Sequence, residues 1–483
     1  MDTPPLFPSE IWDRTPPAAQ ALLLHLATRV ATLEATVQEL REQWRQDSRT
    51  SSRPPSSDPP TSPRERRRRQ PSGRRPGGQP GHRGQTRMLI PVEEVDEVIV
   101  LQPAFCVRCQ QALDGDDPQP QRHQVCEIPP IRPVVTEYPW HRLSCPGCGE
   151  ATPAAWPAGV PRGMRGPRAQ AVGSLCPGAY RLSKRTTQRV LDDLCGLQVR
   201  VGTISQLEAA TTEAVAAPVE EARTCVQEQS SAHLDETGWR EGRQRAWWWV
   251  AATTWVTVFG IRLSRGAKVA RDLLGEAFGG ILVTDRWSAY PWYPVRWRQR
   301  CWAHLLRDIE AMIGRGGRSQ ESGEALQSQA HQMFHWWHRV RDGTLSRSSF
   351  RSSMSPVRRE VERRLEAGST CGVPKTEGRC REMLKLRQAL WPFVPLAGVE
   401  PTNKPAERAM RPGVLWRKGS CGTHSAQGSR FVESMMTVVT TLKQQQRNVL
   451  DYLTAACEAA LHHAPAPSLL PASQVAPSDQ VAA

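Results

Sequence analysis

Three carboxylates carry the most consequential chemistry in this sequence: Asp235, Asp285 and Glu407. Asp235 stands in SSAHLDETGW, an apolar and small-residue setting in which an acid is unfavourable unless it is paired or binds a metal. Its neighbour Glu236 is expected on the opposite face of the same strand. Asp285 ends the apolar run ILVT and should emerge at a strand's carboxyl end. Glu407 lies where NKPAERAMR starts a helix, with Arg408 and Arg411 nearby. Three acids from two strands and a helix can hold two divalent ions, which activate an attacking oxygen and stabilise a leaving oxygen in phosphoryl transfer. Mg²⁺ is the natural ion for an all-carboxylate site with a phosphate substrate, with Mn²⁺ its substitute. A lone acid would more often be a cap or a salt-bridge partner; position and order favour the trio.

Sulfur forms the second constellation. Cys106-Val-Arg-Cys109 and Cys145-Pro-Gly-Cys148 are two Cys-x-x-Cys knuckles with 35 residues between them. Each spacing lets two thiolates reach one tetrahedral ion, and four sulfurs make a closed structural zinc site with no place for water. Buried thiols or a redox pair are the plainer readings, and Cys126 or His123 could replace one ligand. Thirteen cysteines in a chain whose first twenty residues lack a secretory pattern favour reduced thiols over a disulfide framework, and a cytoplasmic, nucleoid-associated protein.

The elements that must position these groups can be read from pattern. SSAHLDETGW, RAWWWVAATT and WVTVFGIRLS form a meander of strands, AKVARDLLGEAF a helix, and GGILVTDRWSAY a buried strand opening into a loop. The uncharged stretch 246–261 is too short to span a membrane and reads as buried strands. Residues 301–397 are largely helical, and helix resumes from Glu407 to about Leu461. Upstream, a helical region runs from Arg168 to about Glu228, where Ser183 begins one helix, Gly196 ends it, and another starts near Thr203. That pair is either a helix-turn-helix or a plain helical spacer. In the first helix Leu23, Val30, Val37 and Trp44 fall seven apart, with Leu26, Leu33 and Leu40 between, the stripe of a short coiled coil or of a helix docked on its own protein.

Charge points to the partner. Lys+Arg 63 against Asp+Glu 48 leaves a net charge of +15, suited to nucleic acid before an anionic membrane. Residues 49–87 hold eleven arginines, among them Arg66, Arg67, Arg68, Arg69, Arg74 and Arg75, against Asp58 and Glu65. Such a segment cannot bury enough apolar surface to fold alone, and reads as an arm lying along phosphates or a solvated linker. No apolar helix face accompanies it, which excludes a membrane-surface role. The expected organisation is a multidomain α+β chain: helix at 1–48, arginine-rich linker at 49–90, zinc-binding module at 91–160, helical DNA-binding region at 161–228, catalytic core at 229–462, and a tail without folding signal at 463–483.

The chain resembles the transposases of the insertion sequence 66 family. The resemblance rests on PPSSD at 54–58, GGQPGHRG at 77–84, the two cysteine knuckles, HLDETGW at 233–239, TDRWSAY at 284–290, CWAHLLRD at 301–308 and NKPAERAMRP at 403–412. It implies a ribonuclease-H-like α/β catalytic core with a D-D-E triad of Asp235, Asp285 and Glu407, interrupted by a helical insertion at about 301–397. It gives His304 and Arg307 a supporting place near DNA and Arg408 and Arg411 a phosphate contact. The segment before Glu407 reads Asn-Lys-Pro-Ala where many relatives carry a second Asn, and its Pro405 is tolerable in a helix's first turn. The implied protein binds the terminal inverted repeats of its element as a homo-oligomer, cuts 3′ ends and joins them to target DNA, in some cases with small accessory proteins. The rival is an inactive or repurposed DNA-binding repressor, and a host nuclease on the same core stands third.

Overall fold

The computed structural model describes residues 9–45, 88–286 and 290–471. Of the arginine-rich segment only 88–90 are therefore described, and Arg66 to Arg69, Arg74 and Arg75 lie outside the described residues. Two compact units make up the chain: residues 59–134, and residues 1–58 together with 135–483. The residues expected as one module at 91–160 belong partly to each.

The described part of the smaller unit is mostly irregular. The Gln124 side-chain amide clips the backbone of Ile90, accepting from its N–H and donating to its carbonyl, both at 2.8 Å. An isolated bridge pairs Phe105 with Ala112 around the first knuckle.

The larger unit runs, in order, α1 (Ser9–Asp13), α2 (Pro17–Arg45), β1 (Arg142–Ser144), β2 (Ala151–Pro153), α3 (Pro167–Tyr180), α4 (Lys184–Cys195), α5 (Val201–Ala214), α6 (Ala216–Gln227), β3 (Ser231–Glu241), β4 (Gln244–Ala252), β5 (Thr257–Arg262), α7 (Ala267–Leu274), β6 (Ile281–Thr284), β7 (Arg298–Arg300), α8 (Trp302–Ile313), α9 (Gly317–Arg341), α10 (Arg347–Gly368), α11 (Pro374–Lys385), α12 (Lys404–Ser420), α13 (Ala426–Gln444) and α14 (Val449–Leu461). The result is mixed α+β, as the sequence indicates. Helix α4 starts where Ser183 Oγ accepts the Thr186 N–H at 3.1 Å and stops at Gly196, whose φ of +60° suits glycine. Helix α5 begins two residues earlier than expected, at Val201. On α2, Leu26, Val30, Leu33 and Val37 of the heptad stripe are exposed.

The five-stranded sheet has the order β5-β4-β3-β6-β7. Strands β3, β4 and β5 form the antiparallel meander, and Gly242 takes φ +57° in the tight β3–β4 turn. Strands β6 and β7 continue parallel to β3. The run Ile281-Leu282-Val283 is buried on both faces: Leu282 joins the sheet core, whereas Ile281 and Val283 join a second core built by α8 to α11. Edge strand β5 is closed by α13. The N–H groups of Thr257 and Phe259 bond Thr441 Oγ1 and Thr437 Oγ1, each at 3.1 Å, and that of Ile261 bonds Glu433. Four helical residues rise about 6 Å, close to the roughly 6.6 Å of two strand residues, so a helix lying antiparallel to the strand keeps the match over three pairs. Closing the edge in this way leaves no template for another chain.

One expectation is corrected. Residues 463–471 are docked: Leu469 is fully buried in the sheet core, the Tyr452 hydroxyl donates to Pro467 O at 2.7 Å, and Ser468 Oγ to Glu221 at 2.7 Å. The physical signal was the Leu469-Leu470 pair among Pro, Ala and Ser; residues 472–483 lie outside the described residues.

Candidate active site

Strand register brings the first two acids together. The pairs Ser231↔Ile281, Ala232↔Leu282 and His233↔Val283 carry, two residues on, to Asp235 beside Asp285. Residues in register on neighbouring parallel strands share a face, about 4.8 Å apart. Glu407 reaches the same place from the first turn of α12, where Pro405 occupies a position whose N–H would be unpaired anyway. Burial holds the Asp235 carboxyl well above its ordinary range, and Asp285, Glu236 and Glu407 push it further up. As whole residues, all three members of the trio are half-buried.

Asn403 fastens α12 to the strand. Its side-chain Nδ2 donates to Leu234 O at 2.9 Å, its Oδ1 lies 3.2 Å from His233 Nδ1, and its backbone N–H bonds Cys301 Sγ at 3.1 Å. Burial pushes His233 down to about 4, so it stays neutral at physiological pH. Asn403→Ala leaves the Leu234 carbonyl and the His233 ring without their partners inside the protein, an expected loss of about 1–3 kcal/mol. A thermal midpoint equal to that of the parent would remove Asn403 from this role.

Glu236 points to the other face, as strand alternation requires. It accepts from the Tyr290 hydroxyl at 2.6 Å and from Arg265 at 2.8 Å. Burial first, then Asp285, raises it to about 7. Nothing in the sequence marked Arg265 or Tyr290 as its partners. A second charged network anchors the residue after Asp285: Arg286 meets Asp308 of α8 at 3.2 Å and Glu382 of α11 at 3.9 Å, and Glu382 also meets Arg300 of β7 at 3.2 Å. Buried Asp308 is pushed up to about 6.

His304 sits against the third acid, with Nδ1 3.7 Å from Glu407 Oε1. Burial first, then Arg307, lowers its pKa, and burial pushes the Cys301 thiol up to about 11. Arg307 is half-buried on α8, whereas Arg408 and Arg411 are exposed on α12 beside Glu407.

The knuckles take one shape twice. In the smaller unit the Cys106 N–H bonds Gln111 O and the Gln110 N–H bonds Cys106 O, both at 2.9 Å; in the larger unit the Cys145 N–H bonds Glu150 O and the Gly149 N–H bonds Cys145 O, both at 2.8 Å. Gln110 and Gly149 both adopt positive φ. Backbone N–H donation from Cys109 and Arg108 lowers the Cys106 thiol, and donation from Cys148 and Gly147 lowers Cys145.

Fold and site together define a mixed α+β protein in which Asp235, midway along β3, stands beside Asp285 at the carboxyl end of β6, with Glu407 of α12 close enough to act on Asp235. The chain belongs to the IS66 family of transposases, whose family model matches residues 180–430, more than half its length, and with them all three acids. Residues 9–88 match a second family model, of unknown function (DUF6444). Over 212 residues the chain is 29% identical to an uncharacterized protein, y4qI, of Sinorhizobium fredii; the match covers 39% of this chain and 37% of that relative. Among the described residues no helix is long and apolar enough to cross a membrane.

Proposed function

We propose that the chain transposes its own element, binding the terminal inverted repeats, cutting the 3′ ends and joining them to target DNA in one active site. The observation that carries this reading is the convergence of Asp235, Asp285 and Glu407 on one sheet face. A sheet of three antiparallel strands continued by two parallel ones supports a ribonuclease-H-like core interrupted by the helices of 301–397. The residues fit divalent ions: Asp235 is opposed by three neighbouring acids, a repulsion that a cation between them would relieve. When bound at Asp235, Asp285 and Glu407, two Mg²⁺ or Mn²⁺ ions would supply charge stabilisation and an activated attacking oxygen. Arg408 and Arg411 would hold phosphates beside them, with His304 and Arg307 lining the approach.

The test is a marker flanked by the element's terminal repeats, supplied with this protein and, in a parallel arm, the accessory genes of the same element. Sequenced junctions between 3′ ends and target DNA support the reading; cut ends that are never joined would assign a nuclease, and binding without cutting a repressor.

The rest of the chain enters the reading in supporting places. The exposed stripe of α2 would pair protomers, as bringing two element ends together requires. Structural Zn²⁺ is proposed at Cys106, Cys109, Cys145 and Cys148 on the paired Cys-x-x-Cys spacing of the sequence, each knuckle forming its turn within its own unit. Metal analysis of the purified protein should find zinc that Cys106→Ser and Cys145→Ser each release. Arg66, Arg67, Arg68, Arg69, Arg74 and Arg75 would supply sequence-independent affinity. Replacing all six by Gln should flatten the slope of log K against log salt by as much as about 5 in a titration on unrelated duplex, and an unchanged slope would take the arm off the DNA.

A further inference from the structure

Cys301 is the N-cap of α8 and His304 its third residue, a spacing that sets both side chains on one helix face. Across from them Glu407 rises from α12. One ligand atom from each of the three lies within 4.8 Å of the others, a grouping that no other His, Cys, Asp or Glu set matches among the described residues. His304 Nδ1 and Glu407 Oε1 are both buried and lack hydrogen-bond partners although they face each other at 3.7 Å. Two ligands about 2.0–2.1 Å from a tetrahedral ion stand roughly 3.4 Å apart, so little movement separates this pair from ligation. The sulfur has the support that metal thiolates use, since the Asn403 N–H points at Cys301 Sγ at 3.1 Å.

We propose that Cys301, His304 and Glu407 bind a borderline-soft divalent cation of the zinc class, and that its occupation withdraws the Glu407 carboxylate from Asp235 and Asp285. Thiolate and imidazole select such an ion over Mg²⁺, which takes oxygen ligands. On binding, the thiol proton passes to solvent and the three side chains leave one position for water. Because Glu407 serves both centres, the soft ion acts as an off-switch on the hard-ion centre. The ion site stands independently of the transposition reading; the switch rests on it.

The experiment counts ions on the full-length protein, stripped of metal and titrated with Co²⁺ and then Zn²⁺. The parent should bind one more ion per chain than Cys301→Ser, seen as loss of one thiolate-to-cobalt charge-transfer band, and His304→Gln should weaken the same ion at least tenfold. Cys106→Ser should leave that ion in place, which separates it from zinc at the knuckles. Equal ion counts in the parent and in both variants overturn the site, and if Cys301→Ser fails to fold, the half-buried His304→Gln decides alone. For the switch, Zn²⁺ is added to Mg²⁺-supported cleavage of end DNA: inhibition that more Mg²⁺ relieves supports it, and a bound ion without inhibition overturns it. A protein that never cleaves the ends contradicts the transposition reading while the ion count still stands.

Discussion

Asp285→Asn is expected to lower transposition by at least about 10³-fold while binding to the element's ends survives. A carboxylate that holds a catalytic cation contributes several kcal/mol of charge stabilisation, and each 1.36 kcal/mol is a factor of ten in rate. The amide keeps the shape of the side chain at the carboxyl end of β6, so the Arg286 anchorage to Asp308 and Glu382 persists. A marker that still moves with the substituted protein would remove Asp285 from the reaction. Asp235→Asn adds a readout independent of activity. Its folded carboxyl is raised by burial and by three neighbouring acids, so the fold disfavours the charged form. Stability from this group is therefore fully present below the unfolded value of about 3.9, falls as pH rises above it, and is at its minimum above the folded value. At neutral pH and without metal, Asp235→Asn should melt above the parent, by about 2–4 °C for each kcal/mol of repulsion relieved, and the gap should close toward pH 4. Mg²⁺ should raise the parent's midpoint and leave the variant's nearly unmoved. A variant that melts below the parent under those conditions would mean that the four acids are not in conflict.

Trp248→Ala carries the largest expected loss of stability. The ring is fully buried, stacked on Trp239 at 5.2 Å and on Phe259 at 4.9 Å, so it joins the three antiparallel strands on the face that bears Asp235. Helix α12 rests on it: a Cβ added at Gly413 would stand 2.7 Å from the indole, which is why glycine occupies that turn. Truncation should cost about 3–5 kcal/mol and lower the midpoint of the sheet core by about 6–20 °C. Because Glu407 is carried by the same helix, cleavage should fall along with stability, about 10²-fold for a displacement near 1 Å. Trp248→Phe separates the causes. The indole N–H has no hydrogen-bond partner, so losing it removes only volume, and the variant should melt much closer to the parent. Equal damage from Ala and Phe would point to a requirement for the N–H instead of the packing.

What the sequence revealed and what it hid follow from the range of the forces involved. The meander from β3 to β5, strand β6 and the start of α12 were legible because alternation, an apolar run and a first-turn proline are local signals. Strand β7 was not: Arg298, Gln299 and Arg300 are polar, yet all three are buried, made bearable by Glu382 and by contacts from the insertion. The trio of acids was legible residue by residue, and the family resemblance put the three in order. Their neighbours were invisible, because Glu236 with Tyr290, Asn403 with His233 and Cys301 with His304 and Glu407 depend on register and on helices distant in sequence. His304 shows the difference plainly, since its motif implied a place near DNA and only the packing reveals Glu407 beside it.

The N–H···S bond between Asn403 and Cys301 joins positions 102 apart in sequence, at the points where the chain leaves the sheet and returns to it. An excursion whose two ends are pinned together can change length at little thermodynamic expense, since doubling a flexible loop costs only about 0.6 kcal/mol in closure entropy. Over evolutionary time the parts of the intervening helices that touch neither the sheet nor Arg286 are then free to grow or shrink without altering the gap that separates Asp285 from Glu407 in space. The interval between these two acids along the chain is accordingly a poor marker of kinship. Distant relatives should be recognisable by the short strings around each acid and by the pinned root, even where their lengths disagree by scores of residues.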